Sequence, residues 1–173
     1  MNKRRNIVLI GMMGAGKSSI GHLLDAKLQD FHYIDIDNEI ERNEKMTIEE
    51  IFAVVGEAHF RELEHNTIKK FSNYHNQVIA TGGGAVENQE NLELLRQNSV
   101  IFYLKASIDE LYERVKMASN RPLLKTTNPK QKLKDLMEKR EQFYIKADFE
   151  TNTENKELIE IVNEILEKYE TIN

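Results

Sequence analysis

Cysteine is absent from this sequence, which excludes disulfides and thiolate-bound metal and fits a reducing compartment. Proline occurs only twice, at Pro122 and Pro129. No low-complexity linker and no internal repeat divides the 173 residues, so a single domain over 1–173 is expected. Long apolar runs are missing too. The basic start Met1-Asn2-Lys3-Arg4-Arg5 is followed by only four apolar residues, Ile7 to Ile10, before a glycine. That pattern matches neither a signal peptide nor a membrane span, and a cytoplasmic protein is expected. Positive charge is also in deficit: 24 Lys and Arg stand against 29 Asp and Glu, a net charge of -5. A broad nucleic-acid surface is therefore not expected. The five histidines, His22, His32, His59, His65 and His75, show no metal-ligand spacing. Any anion this chain binds has to meet individually placed cations.

Against these absences stands one dense motif. Gly11-Met12-Met13-Gly14-Ala15-Gly16-Lys17-Ser18 is a complete G-x-x-x-x-G-K-[ST] loop. The pattern arises by chance in roughly 0.5% of chains this long. It follows the apolar strand Ile7-Val8-Leu9-Ile10 and precedes a helical stripe of Ile20, Leu23, Leu24 and Leu28, so a helix starts at about Lys17. The backbone N–H groups of Gly14, Ala15, Gly16 and Lys17 can converge on phosphate oxygens, and the helix N-terminus adds partial positive charge there. Lys17 reaches the outer phosphates and Ser18 offers its hydroxyl to Mg²⁺. The loop implies binding of a nucleoside triphosphate.

Further β-prone runs at 33–36, 78–80, 100–104 and, less clearly, Phe149 to Asn152 alternate with helical segments. Such alternation predicts a parallel sheet covered by helices. Thr47-Ile48-Glu49-Glu50 and Ser107-Ile108-Asp109-Glu110 have the form of capping boxes. Ligands of parallel sheets sit beyond the carboxyl ends of the strands, which directs attention to Asp35-Ile36-Asp37 and Thr81-Gly82-Gly83-Gly84. Two carboxylates two apart on an extended segment share one side, suiting one metal-facing and one substrate-facing role. The alternative is that Asp37 is simply the N-cap of a helix beginning at Asn38.

Charges interrupt or border apolar faces at three places. Glu64 falls inside the helical stripe Phe60, Leu63, Thr67, Ile68 and Phe71, three residues after Arg61. The pair is either a surface contact or a brace that presents the Arg61 guanidinium to a carboxylate. Arg140 replaces an apolar residue on the stripe Leu133, Leu136, Met137 and Tyr144, and needs an anion from a substrate or a salt bridge. Arg114, beside Leu111 and Val115, could stack on an adenine ring or shield the core. The polar segment 118–130, with both prolines, is either a functional lid or a disordered segment; as a lid it would span about 117–131 and carry Arg121.

Taken in order, these residues resemble the shikimate kinases: the loop Gly11 to Ser18, Asp35 and Asp37, Phe60-Arg61-Glu62-Leu63-Glu64, Gly82-Gly83-Gly84, Arg121-Pro122-Leu123, and Arg140 with Tyr144. Ser18-Ser19 stands where Ser-Thr is common in that family, and 150–155 lacks a proline that many members carry. The resemblance implies an α/β three-layer kinase fold like that of nucleoside monophosphate kinases, with a five-stranded parallel sheet in the order 2-3-1-4-5. It implies ATP-dependent phosphorylation of the shikimate 3-hydroxyl, in the pathway to chorismate and aromatic amino acids. By the same resemblance Gly14, Ala15, Gly16, Lys17, Ser18, Ser19, Arg114 and Arg121 would bind ATP, and Asp37, Arg61, Gly83 and Arg140 would bind shikimate within and around a region of about 33–63. Lys17, Asp37 and Arg121 would be catalytic, with Ser18 and, through water, Asp35 on Mg²⁺. The expected partners are shikimate and ATP, with no nucleic acid or membrane, acting on a monomer. Two other readings stay open: a different small-metabolite kinase of the gluconate kinase type, and a silent nucleotide-binding protein.

Overall fold

A computed structural model describes residues 5–116 and 126–172. The strands are β1 (Asn6–Ile10), β2 (His32–Asp35), β3 (Gln77–Ala80), β4 (Ser99–Lys105) and β5 (Phe149–Asn152). They form one sheet in the order β2-β3-β1-β4-β5, and every pairing is parallel. β1 lies in the middle, with Leu9 opposite Ala80 on one side and Phe102 on the other. All five of its residues are buried, as the sequence of a strand covered on both faces requires. β5 is the edge strand, which explains its polar composition: only Thr151 is fully buried, while Phe149 stacks on Phe102 at 5.3 Å.

The helices are α1 (Lys17–Lys27), α2 (Ile36–Glu44), α3 (Ile48–Val54), α4 (Gly56–Ser72), α5 (Gln89–Gln97), α6 (Ile108–Val115), α7 (Pro129–Tyr144) and α8 (Leu158–Glu170). A 3₁₀ turn at Ala85–Glu87 follows the triple glycine. α1 packs on α8, and α4 on α2, α3 and α5. Thr47 closes a full capping box on α3. Ser107 makes only half of one: its side chain accepts from Glu110, but its own N–H donates to Glu154 Oε1 at 2.9 Å.

Two boundaries correct the sequence reading. The run 33–36 does not end as strand, because β2 stops at Asp35 and Ile36 already begins α2. The N-cap is Asp35, whose side chain accepts from the Asn38 N–H, so Asp37 is neither that cap nor part of an extended pair. α7 starts at Pro129 under an Asn128 cap, so 129–131, the last residues of the segment expected to be a lid, are helix. Arg121, Pro122, Leu123 and most of the proposed lid lie outside the described residues.

Candidate functional site

Beyond the carboxyl ends of β1, β2 and β3 opens one cleft of about 930 Å³. Its lining includes the phosphate loop, Asp35 and Asp37, Arg61 and Glu64, Gly82 to Gly84, Arg114 and Arg140. The loop's shape follows from its glycines. Gly14 and Gly16 have φ of 85° and 92°, angles that other residues adopt only under strain. Gly16 is the N-cap of α1, which has no side-chain cap. The Lys17 ammonium folds back onto its own loop, donating to the carbonyls of Gly11 at 2.7 Å and Met12 at 3.0 Å. Ser18 leaves α1 toward β2 and its hydroxyl donates to Asp35 Oδ2 at 3.2 Å. The two residues expected around Mg²⁺ are thus neighbours.

Opposite the loop, two guanidiniums meet over a glycine. A Cβ built on Gly84 would stand 2.8 Å from Arg61 Nη2 and 2.9 Å from Arg140 Nη2. Arg61 comes from α4, where Glu64 Oε2 holds its Nη1 at 2.8 Å and Glu57 its Nη2 at 3.0 Å. Glu64 is only 1% exposed, so the pair is not the solvent-exposed contact of the surface reading. Burial pushes the Glu64 carboxyl up to about 7; Arg61 and Arg140 oppose that rise and Asp37 adds to it.

Arg140 comes from α7 and is 3% exposed. Its Nε donates to Glu87 Oε1 at 2.7 Å, and Lys139 meets the other oxygen of the same carboxylate at 2.6 Å. Burial would raise Glu87, but the hydrogen bonds from Lys139 and Arg140 outweigh it and hold the carboxyl below the usual range. The salt-bridge alternative for Arg140 is therefore real, yet it engages Nε and leaves the guanidinium tip facing Gly83 and Gly84. Glu87 escaped the sequence reading because its 3₁₀ turn has no periodicity. Tyr144 of the same helix donates its hydroxyl to the Gly83 carbonyl at 2.5 Å and stacks on Tyr103, fixing the triple glycine from below.

Gly82 brings in the acids: a Cβ there would lie 2.7 Å from Glu64 Oε1 and 2.9 Å from Asp37 Oδ1. Only glycine lets the backbone pass between these carboxylates. At the far end Arg114 donates to Gly14 O at 3.2 Å, Thr153 O at 2.9 Å and Glu110 Oε1 at 2.9 Å. It ties the phosphate loop to the segment after β5, where Thr153 and Lys156 complete the wall. Neither was singled out from the sequence, since their stretch is polar and aperiodic. Among the described residues no group of three or more His, Cys, Asp or Glu gathers as a metal cluster. No described helix is long and apolar enough to cross a membrane.

The chain is similar to known proteins over nearly its whole length. The shikimate kinase family model matches residues 13–170. A shikimate kinase of Thermodesulfovibrio yellowstonii is 44% identical over 169 residues, covering 98% of this chain and 97% of that one. The structure of shikimate kinase from Acinetobacter baumannii in complex with shikimate has a TM-score of 0.94 and 34% identity, with 98% of this chain and 95% of that chain covered. A gluconokinase from Sinorhizobium meliloti reaches a TM-score of 0.62 at 17% identity over 99% of this chain and 95% of that one, a likeness of fold alone.

Proposed function

This chain belongs to the shikimate kinase family, and from that premise we propose that its cleft seats ATP on the phosphate loop and shikimate against Arg61 and Arg140. The enzyme is an ATP-dependent kinase that phosphorylates the 3-hydroxyl of shikimate, giving shikimate 3-phosphate and ADP in aromatic amino acid biosynthesis. The observation that carries the acceptor site is the convergence of two guanidiniums over Gly84. Each guanidinium has its own glutamate, and the two together present donors toward the same glycine, an arrangement whose forks match a small carboxylate.

In this reading the shikimate carboxylate bridges Arg61 and Arg140, while Asp37 and the Gly83 backbone bind its hydroxyls. Gly14 to Ser19 hold the triphosphate and Arg114 the adenine end. Lys17 exchanges its loop carbonyls for the outer phosphate oxygens. The 3-hydroxyl oxygen attacks the γ-phosphorus, the bond to the β-phosphate oxygen breaks, and ADP leaves. Asp37 orients the hydroxyl and accepts its proton. Arg121, which precedes α7 in the sequence and lies outside the described residues, would add positive charge over the transferring group.

The residues fit magnesium: Ser18 and Asp35 offer hard oxygens 3.2 Å apart on the cleft wall, and Mg²⁺ keeps several waters beside few protein ligands. Ser18 would hold the ion directly and Asp35 through water; when bound, it neutralises charge on the β- and γ-phosphate oxygens. We further infer a single domain, a monomer and a cytoplasmic site of action, in keeping with an acidic chain that lacks cysteine.

Release of ADP measured with shikimate, gluconate and nucleoside monophosphates tests the reading. Turnover with shikimate alone is expected. Preference for gluconate would move the enzyme to another small-metabolite kinase, and ATP binding without turnover of any of them would make it a silent binder.

A further inference from the structure

Tyr33, Gly21 and His22 have no part in the chemistry above, yet they meet at its edge. Tyr33 and Asp35 are two apart on β2 and so share a face. The Tyr33 ring lies on α1 at Gly21, where a Cβ would come within 2.2 Å of Cε2 and 2.7 Å of Cδ2. Any side chain at 21 displaces the ring. His22 packs against the same ring, with ring centroids 4.2 Å apart. The Tyr33 N–H donates to Asp25 Oδ1 at 2.9 Å, which secures the backbone. These contacts need the ring but not its hydroxyl. The hydroxyl is spent elsewhere: it donates to Asp35 Oδ2 at 3.0 Å, the same oxygen that accepts from Ser18.

Asp35 is thereby held by donors on both oxygens, since Oδ1 takes the Asn38 N–H as helix cap at 3.2 Å. A carboxylate so engaged is poorly disposed to bind a cation directly. It is well disposed to accept from metal-bound waters at a fixed position. We propose that Tyr33 is a positioning residue, whose hydroxyl holds Asp35 beside Ser18 so that the loop binds nucleotide more tightly with Mg²⁺ than without it. This rests on the reading above that Asp35 meets Mg²⁺ through water.

Calorimetric titration of ADP into the full chain, with and without Mg²⁺, tests it using Tyr33→Phe, Gly21→Ala and Asp35→Asn. Wild type gains affinity from Mg²⁺. Tyr33→Phe loses roughly three- to tenfold of that gain, the scale of one hydrogen bond to a charged group, and binds metal-free ADP as wild type does. In turnover the same loss falls on the half-saturating Mg²⁺ concentration rather than on kcat. Gly21→Ala, which pushes the ring off its seat, moves the gain in the same direction. If Tyr33→Phe keeps the full gain while Asp35→Asn loses it, the role of Tyr33 is overturned and the magnesium reading stands. If Asp35→Asn keeps it as well, both fall. Equal weakening of ADP with and without Mg²⁺ in Tyr33→Phe makes the tyrosine merely structural and also overturns the proposal.

Discussion

Burial and charge oppose each other at Glu64. Its carboxyl titrates near 7 in the folded chain against about 4.5 when unfolded. Between those values the native state binds more protons than the unfolded one, so the contribution of Glu64 to stability is fullest below about 4.5 and declines as pH rises to about 7. Relative to Glu64→Gln, wild type should lose up to about 3 kcal/mol across that window. Urea unfolding of both proteins at pH 5 and pH 7.5 measures it, and a difference that does not change with pH refutes the shift. Glu87 is the converse case, a carboxylate kept charged by Arg140 and Lys139. Glu87→Ala leaves the 3%-exposed Arg140 without its carboxylate, which should cost about 1–3 kcal/mol and raise the KM for shikimate more than that for ATP. Equal KM values in mutant and wild type would separate Glu87 from the acceptor site. The Arg61–Glu64 pair was legible because three residues on a helix make neighbours. The Arg140–Glu87 pair was not, because 53 residues separate its members and no period links them.

At the scale of elements, local chemistry decided what could be read. The phosphate loop, the capping box at Thr47 and the stripe of α1 are short-range patterns, and they appear where the sequence puts them. Errors arose where one residue serves two elements. Asp35 ends a strand and caps a helix, so an extended Asp-x-Asp became a strand-to-helix junction. Pro129, which looked like loop chemistry, supplies a first helical turn that needs no N–H. The triple glycine stood out at a strand end, and what approaches it in the structure is protein. Arg61 and Arg140 stand within 3.0 Å of where a Gly84 side chain would be. Gly84→Ala should therefore displace both guanidiniums, raising the KM for shikimate at least tenfold while that for ATP moves little. Steady-state kinetics with each substrate varied in turn checks it, and matched increases in both constants would mean that the glycine serves the whole cleft.

Over the whole molecule, function comes from the order of strands. Periodicity announced strands and helices but not their sequence across the sheet, which depends on crossovers that no local pattern encodes; the 2-3-1-4-5 order was available only through resemblance. That order puts β1 between β3 and β4, so the phosphate loop and the triple glycine leave adjacent strands and face one cleft. In the proposed reading the donor and acceptor sites are separate sets of residues in contact: a Cβ on Gly83 would lie 3.6 Å from Gly11 O. Separate sets can be removed one at a time. Lys17→Met should lower kcat by roughly a hundredfold or more, the scale of one lost charge-stabilising donor, while shikimate binding measured by calorimetry stays close to wild type. Arg140→Ala should do the reverse, weakening shikimate and sparing ADP. The crossed pattern is the informative result, since a general loss of structure would depress both affinities in both proteins. Should Lys17→Met weaken shikimate as much as Arg140→Ala does, the two halves would have to act as one site, and Lys17 would owe its place to holding the Gly11 and Met12 carbonyls rather than to phosphate.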